Sequence, residues 1–222
     1  MTPDEIERSL LWNSLTNHGN YIRLNLGINE TEVLSQLKQF KDNWCPYNQK
    51  KDSEDRVTNN RWGLPVTSRD GDVMNNYHLN SFGYMQEYHN SELKESDFTT
   101  PTEVYRAVPE FKKLVDIFAP DIGRVHLLRV DQGGFFPPHR DFAGVAPEYF
   151  RLTCVFGNAS EFNYAQQLDD KLFRPNRNSL YFVNFQLNHS VFSFSDNLYN
   201  LILTVKLNRR THDLILKHST AK

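Results

Sequence analysis

The chain has 222 residues, of which 25 are Lys or Arg, 27 are Asp or Glu and 39% are hydrophobic, giving a net charge of −2. That length fits one domain better than two and buries well over half of its unfolded surface, so folding requires neither disulfide nor structural metal. The charge balance argues against a strongly basic nucleic-acid footprint, and the hydrophobic content argues against wholesale disorder.

No apolar run approaches the roughly 20 residues of a membrane span. The first residues, Met-Thr-Pro-Asp-Glu-Ile-Glu-Arg, lack the basic and apolar blocks of a secretory signal. The two cysteines, Cys45 and Cys154, do not make a disulfide scaffold and suit a reduced, cytoplasmic protein. Both are expected to stay unpaired, Cys45 at the end of a helix and Cys154 in a core strand.

Residues 1–122 mix helices with loops. Thr2, Pro3 and Glu5 spell a helix start, with Thr as N-cap, Pro at the first position and Glu at the third. Ile6, Leu10 and Leu11 follow on one helical face. Ile22, Leu24 and Leu26 alternate with Arg23 and Asn25 and read as a strand. Asn29 with Glu32 opens a second helix, continued by Leu34, Leu37, Phe40 and Trp44 at helical spacing. Polar stretches at 48–60 and 67–76 read as loops. Thr100-Pro101-Thr102-Glu103 repeats the helix-start grammar. After Pro109, residues Phe111, Leu114, Val115 and Phe118 form an apolar stripe that Pro120 stops. Each stripe reads as core packing.

Residues 123–209 are a train of short β-like runs at 124–130, 135–141, 149–156, 161–164, 171–174, 180–184, 189–194 and 199–207. Gly133-Gly134, Pro137-Pro138, Gly157-Asn158, Pro175-Asn176 and Asp196-Asn197 punctuate them. This pattern predicts a mainly β chain with helices, a sandwich or barrel whose sheet is covered on one outer face by the N-terminal helices. There is no room between the runs for the crossover helices of a doubly wound fold. Residues 210–222, with Arg210, Lys217 and Lys222, read as a solvated basic tail.

The chemistry gathers around His139-Arg140-Asp141 at the end of the second run. On a strand, side chains i and i+2 share a face, so His139 and Asp141 converge while Arg140 points away. His189 opens the seventh run, which lies beside the second in an eight-stranded jelly roll. Two His and one carboxylate on one face make the facial triad of non-haem Fe(II) oxygenases, which leaves open positions for a cosubstrate and O₂. Of the other histidines, His126 reads as a satisfied core residue, while His18, His89, His212 and His218 read as surface residues. His-Arg-Asp also occurs in protein-kinase catalytic loops. Here, however, Ala146 takes the place of the catalytic-loop Asn, and neither a glycine-rich phosphate loop nor Asp-Phe-Gly is present.

The run Arg124-Val-His-Leu-Leu-Arg-Val-Asp-Gln-Gly-Gly-Phe-Phe-Pro-Pro-His-Arg-Asp141, with Phe150-Arg-Leu-Thr153 and Leu180-Tyr-Phe-Val-Asn-Phe-Gln-Leu-Asn-His-Ser-Val191, resembles the 2-oxoglutarate and Fe(II)-dependent oxygenase superfamily. It is most similar to the aspartyl/asparaginyl β-hydroxylase and free-proline hydroxylase branch. The resemblance covers residues 124–207. It implies a double-stranded β-helix, or distorted jelly roll, with Fe(II) held by His139, Asp141 and His189. It further implies hydroxylation of an amino acid or an amino-acid side chain in a peptide or protein, coupled to oxidation of 2-oxoglutarate to succinate by O₂, with ascorbate as a stimulatory reductant.

The sequence departs from that pattern at one point. The family places a basic residue about ten positions after the distal His to pair with the far carboxylate of 2-oxoglutarate. Here Asn200 stands there, and residues 178–205 contain no Lys or Arg. Arg151 matches a family Arg that approaches the cosubstrate, and with its same-face neighbour Thr153 it is the substitute expected to hold the carboxylate. The departure leaves two alternatives open, a different cosubstrate or a non-catalytic β-helix that binds a ligand or partner. Arg61 and Arg69 are candidate anchors for a substrate carboxylate, and His78 a candidate lining of the substrate mouth. Oligomeric state is not readable.

Overall fold

The computed structural model describes residues 1–47, 60–74, 93–142 and 144–220. In chain order, α1 (Pro3–Asn17), β1 (Tyr21–Gly27) and α2 (Glu30–Leu37) precede the short strands β2 (Cys45–Pro46), β3 (Arg61–Pro65), β4 (Thr67–Ser68) and β5 (Thr100–Pro101). Helices α3 (Glu103–Ala107) and α4 (Pro109–Phe118) lead into β6 (Ile122–Val130). Then come β7 (Phe135–His139), β8 (Tyr149–Gly157), β9 (Tyr164–Leu168), β10 (Lys171–Leu172), β11 (Ser179–Val183), β12 (His189–Ser193), β13 (Leu198–Lys206) and α5 (Arg209–His218).

All eight expected runs form strands, and they close into a double-stranded β-helix. A major sheet has the order β1-β11-β8-β13-β6-β3-β2, and a minor sheet has the order β10-β9-β12-β7. Their pairings are antiparallel. The fourth run sits later than expected, at β9, because its first residues form the turn before it.

The period of two along each major strand assigns its faces. Leu152, Cys154 and Phe156 of β8, with Leu201, Leu203 and Val205 of β13, join the core under the helices. That core also takes Leu11, Trp12 and Leu15 from α1 and Phe111, Leu114, Val115 and Phe118 from α4. The alternate residues, Arg151, Thr153 and Val155 on β8 and Asn200, Ile202 and Thr204 on β13, face the minor sheet. Both faces are therefore filled, and the inward face carries the polar residues.

Thr2 caps α1 in a reciprocal capping box with Glu5, as expected. Several local expectations are corrected. Ile6 and Leu10 are exposed, and the helix instead buries Ser9, Leu11, Trp12 and Leu15, a face rotated from the expected one. The α2 helix stops at Leu37 and a tighter turn continues to Phe40, so Trp44 is not helical and Cys45 lies on a strand. The 61–65 segment, between the two expected loops and assigned to no element, pairs with β6 and becomes β3. Thr67 and Ser68 are likewise a buried strand, paired with Thr100–Pro101. The helix cap is therefore Thr102, whose hydroxyl accepts from Val104 N, two residues later than the sequence suggested.

The expected tail is helix α5. Asn208 caps it, and Thr211, His212 and Ile215 are buried. Ile215 enters the main core, while His212 hydrogen-bonds Ser14 on α1 at 3.0 Å, so His212 is not a surface residue. Arg210 donates to Asp121 at 2.7 Å and to the carbonyls of Ile117, Phe118 and Ala119, closing the exposed end of α4. Many charged residues mask a short i, i+4 apolar face in this segment. No helix among the described residues is long and apolar enough to cross a membrane. Ile215→Ala is expected to cost about 2–5 kcal/mol by urea unfolding, as a fully buried Ile does. Unchanged stability would return the segment to solvent.

Candidate metal centre

The minor sheet brings the histidines together. His139 ends β7 and His189 begins β12, and the two are directly paired in the antiparallel register. Their ring centroids are 4.2 Å apart. Asp141 follows β7, and its backbone N–H donates to Phe185 O at 3.1 Å, which turns the carboxylate back toward both rings. Oδ1 of Asp141 lies 3.3 Å from Nε2 of His139 and 3.6 Å from Nε2 of His189. The three candidate ligand atoms lie within 4.8 Å of one another. Arg140 points to solvent, as strand parity requires.

The surroundings fix the orientation of each donor. Nδ1 of His139 faces Pro137 O at 2.7 Å, and Nδ1 of His189 faces Leu187 O at 3.1 Å. A carbonyl can only accept, so each Nδ1 carries a proton, and each Nε2 is the ring atom turned toward Asp141. Outer-partner fixing of this kind is how metal-binding imidazoles are held. Arg151 Nη1 donates to the other oxygen of Asp141, Oδ2, at 2.6 Å. One carboxylate oxygen is thus tied to a guanidinium while the other faces the imidazoles. Two imidazole nitrogens and a carboxylate oxygen converging from one side fit a divalent ion such as Fe(II).

The electrostatics agree. Burial alone would raise the Asp141 carboxyl, but the Arg151 charge and the two imidazoles outweigh it and hold the group far below the usual carboxylate range. Burial opposes charge on Arg151 as well, and the facing Asp141 more than restores it. An apolar shell stands around the donors. The Phe185 ring is 4.6 Å from that of His189, and Trp12 packs edge-on to Phe142 at 5.7 Å. The Trp12 indole also donates to Gln186 Oε1 at 2.6 Å, so α1 ties down the segments on either side of the cluster.

Thr153 and Asn200 meet on the inward face, where the Thr153 hydroxyl donates to the Asn200 amide oxygen. Arg151 stands one inward position nearer the mouth. Arg61 is buried on β3 with its guanidinium 4.5 Å over the Phe136 ring, and burial lowers its pKa. Arg69 is exposed on the turn after β4, apart from the cluster. His78 and His89 lie outside the described residues. Cys45 and Cys154 are both free and buried.

Sequence reasoning missed two features. The first is the support given by Trp12 and Gln186, which are 174 residues apart and have no local signal. The second is His126, which is buried as expected but not satisfied. Neither of its ring nitrogens has a hydrogen-bond partner among the described residues. Its strand parity, two residues from Arg124 and Leu128, was the available clue to an inward position.

No protein-family model and no curated protein matches the sequence. Solved structures do match. A prolyl hydroxylase from Trichoplax adhaerens, in complex with a hypoxia inducible factor oxygen degradation domain peptide fragment, superposes with a TM-score of 0.52 at 10% identity. The match covers 96% of this chain and 97% of that one. A viral collagen prolyl hydroxylase from Paramecium Bursaria Chlorella virus-1, in a 2OG complex, gives a TM-score of 0.47 at 9% identity over 87% of this chain and 99% of that one. A 2OG-Fe(II) oxygenase family oxidoreductase from Burkholderia pseudomallei gives 0.44 at 10% identity over 90% of each. The chain shares the fold of the Trichoplax enzyme along nearly its whole length.

The Arg151–Asp141 pair predicts a stability effect in the metal-free protein. Arg151→Ala leaves a carboxylate buried without its counter-charge, which costs about 3–5 kcal/mol. The Asp141 pKa is depressed on folding, so the wild-type advantage is full above the ordinary carboxylate pKa of about 3.9 and shrinks as pH falls below it. Urea unfolding of both proteins from neutral to acid pH measures this, and a pH-independent difference contradicts it.

Proposed function

We propose that this chain is an Fe(II)- and 2-oxoglutarate-dependent hydroxylase of an amino acid, or of an amino-acid side chain in a peptide or protein. The observation that carries the reading is the His139–Asp141–His189 cluster, with both Nε2 atoms and one carboxylate oxygen turned to a common point. The fold shared with a prolyl hydroxylase supports it.

His139 and His189 would hold the metal through Nε2, and Asp141 through Oδ1. Iron with 2-oxoglutarate and O₂ supplies hydroxylation of an unactivated C–H bond, with conversion of the cosubstrate to succinate and carbon dioxide. The chain's own work is holding and shielding. Arg151 keeps Asp141 ionised and turned, and its remaining N–H groups would suit a cosubstrate carboxylate. Phe185, Phe142 and Trp12 exclude water from one side of the cluster.

The structure changes what can be asked of Arg151. A guanidinium bonded to Asp141 would support the metal as well as the cosubstrate, so Arg151→Ala is expected to weaken Fe(II) binding too. An amino-acid or peptide substrate is supported by the peptide fragment bound to the Trichoplax enzyme. Arg69 and His78 remain candidates for contacting the substrate, and Arg61 would act from within the barrel wall.

The test is succinate formation from 2-oxoglutarate with Fe(II), ascorbate and a panel of amino acids and peptides. Metal-dependent succinate is expected, falling by more than about 100-fold in His139→Ala or Asp141→Ala, since loss of an outer partner alone costs roughly 10–100-fold. Fe(II) binding without succinate across the panel favours a non-catalytic β-helix or another cosubstrate, the reading that Asn200 motivates.

A further inference from the structure

His126 is the group in the barrel that the cluster leaves unexplained. It is 1% exposed on β6, between Pro65 of β3 and Ile202 of β13. Strand parity turns it inward with Arg124 and Leu128, away from Val125 and Leu127, which belong to the helical core. Its ring stacks on Tyr47 at 5.8 Å with an interplanar angle of 14°, so its edge rather than its face is presented to polar groups. Both ring nitrogens are buried without a hydrogen-bond partner among the described residues. A buried polar group left unmatched costs about 1–3 kcal/mol, so a native chain keeps one where a ligand matches it.

The neighbours say what kind of ligand. Thr153 lies two strands away on the same cross-strand row, and Asn200 lies one inward step from both. The Thr153 hydroxyl occupies the Asn200 amide oxygen, which leaves the Asn200 amide nitrogen as a donor. Arg151 stands beside this group toward the metal cluster. Arg124 is engaged elsewhere, 3.7 Å from the Glu95 carboxylate. Burial, and then the charges of Arg124 and Arg151, push the His126 pKa well below its ordinary value, so the ring is neutral and offers one N–H. A neutral imidazole and an amide, next to a single guanidinium, form a donor set for a carboxylate.

We propose that His126, with Asn200, receives the far carboxylate of the dicarboxylate cosubstrate, replacing the missing basic residue of the last strand with neutral donors. This rests on the hydroxylase reading above. His126 is a cosubstrate-binding residue in this account and takes no part in holding the metal.

The experiment is calorimetric titration of 2-oxoglutarate into protein loaded with Mn(II), in the wild type, His126→Leu and His126→Gln, with Mn(II) affinity and thermal unfolding measured on each. His126→Leu is expected to weaken 2-oxoglutarate binding at least tenfold while Mn(II) affinity stays within about twofold. The ligand-free Leu variant should be as thermally stable as the wild type or more so, because it removes an unmatched polar group. His126→Gln keeps an N–H donor and should recover most of the binding. Wild-type affinity in His126→Leu overturns the inference and leaves the hydroxylase reading standing. A loss of Mn(II) binding in parallel with 2-oxoglutarate binding also overturns it. Absence of 2-oxoglutarate binding to the Mn(II)-loaded wild type overturns both.

Discussion

The structure turns on one buried carboxylate. Asp141 sits 6% exposed at the junction of the two sheets, where an ionised group without partners would be too costly to keep. Arg151 from the major sheet and two imidazoles from the minor sheet are what keep it ionised. Each partner is delivered by a different strand, so the electrostatic requirement of one side chain fixes the relation of β7, β8 and β12. The rest of the site follows from that meeting. The two oxygens of Asp141 are divided between a guanidinium and the imidazoles, and each imidazole is locked by the carbonyl two residues before it.

Much of this was legible because β patterning is local. The alternation through residues 149–156 and 199–207, and the turn residues between runs, located the eight strands from β6 to β13. The His-x-Asp spacing placed two donors together, and the strand count placed the third opposite them. Failures came where tertiary contacts decide. The 61–65 segment has no strand pattern of its own and becomes β3 through pairing with β6. Ile6 and Leu10 look like a buried face until the sheet beneath α1 selects Leu11, Trp12 and Leu15 instead. Leu214, Ile215 and Leu216 are a short apolar run between charged residues, and only the packed core shows that their helix is docked.

Arg151 shows the same limit within the site. The sequence offered it as the substitute anchor for a cosubstrate, while the structure bonds it to Asp141. A charge already paired with Asp141 leaves less to offer a second carboxylate. His126, Thr153 and Asn200 lie on adjacent inward rows of β6, β8 and β13, a grouping that only the register reveals. Arg124, another buried cation on that face, is held by Glu95 and Phe98.

The central claim is that His139, Asp141 and His189 form one divalent metal site in this β-helix. Crystals grown with Fe(II) without oxygen, measured on both sides of the iron absorption edge, test it most directly. The account predicts a single strong anomalous peak within bonding distance of Nε2 of both histidines and Oδ1 of Asp141, with Arg151 still on Oδ2. A peak at other residues, or none between these three in iron-loaded crystals, would contradict it.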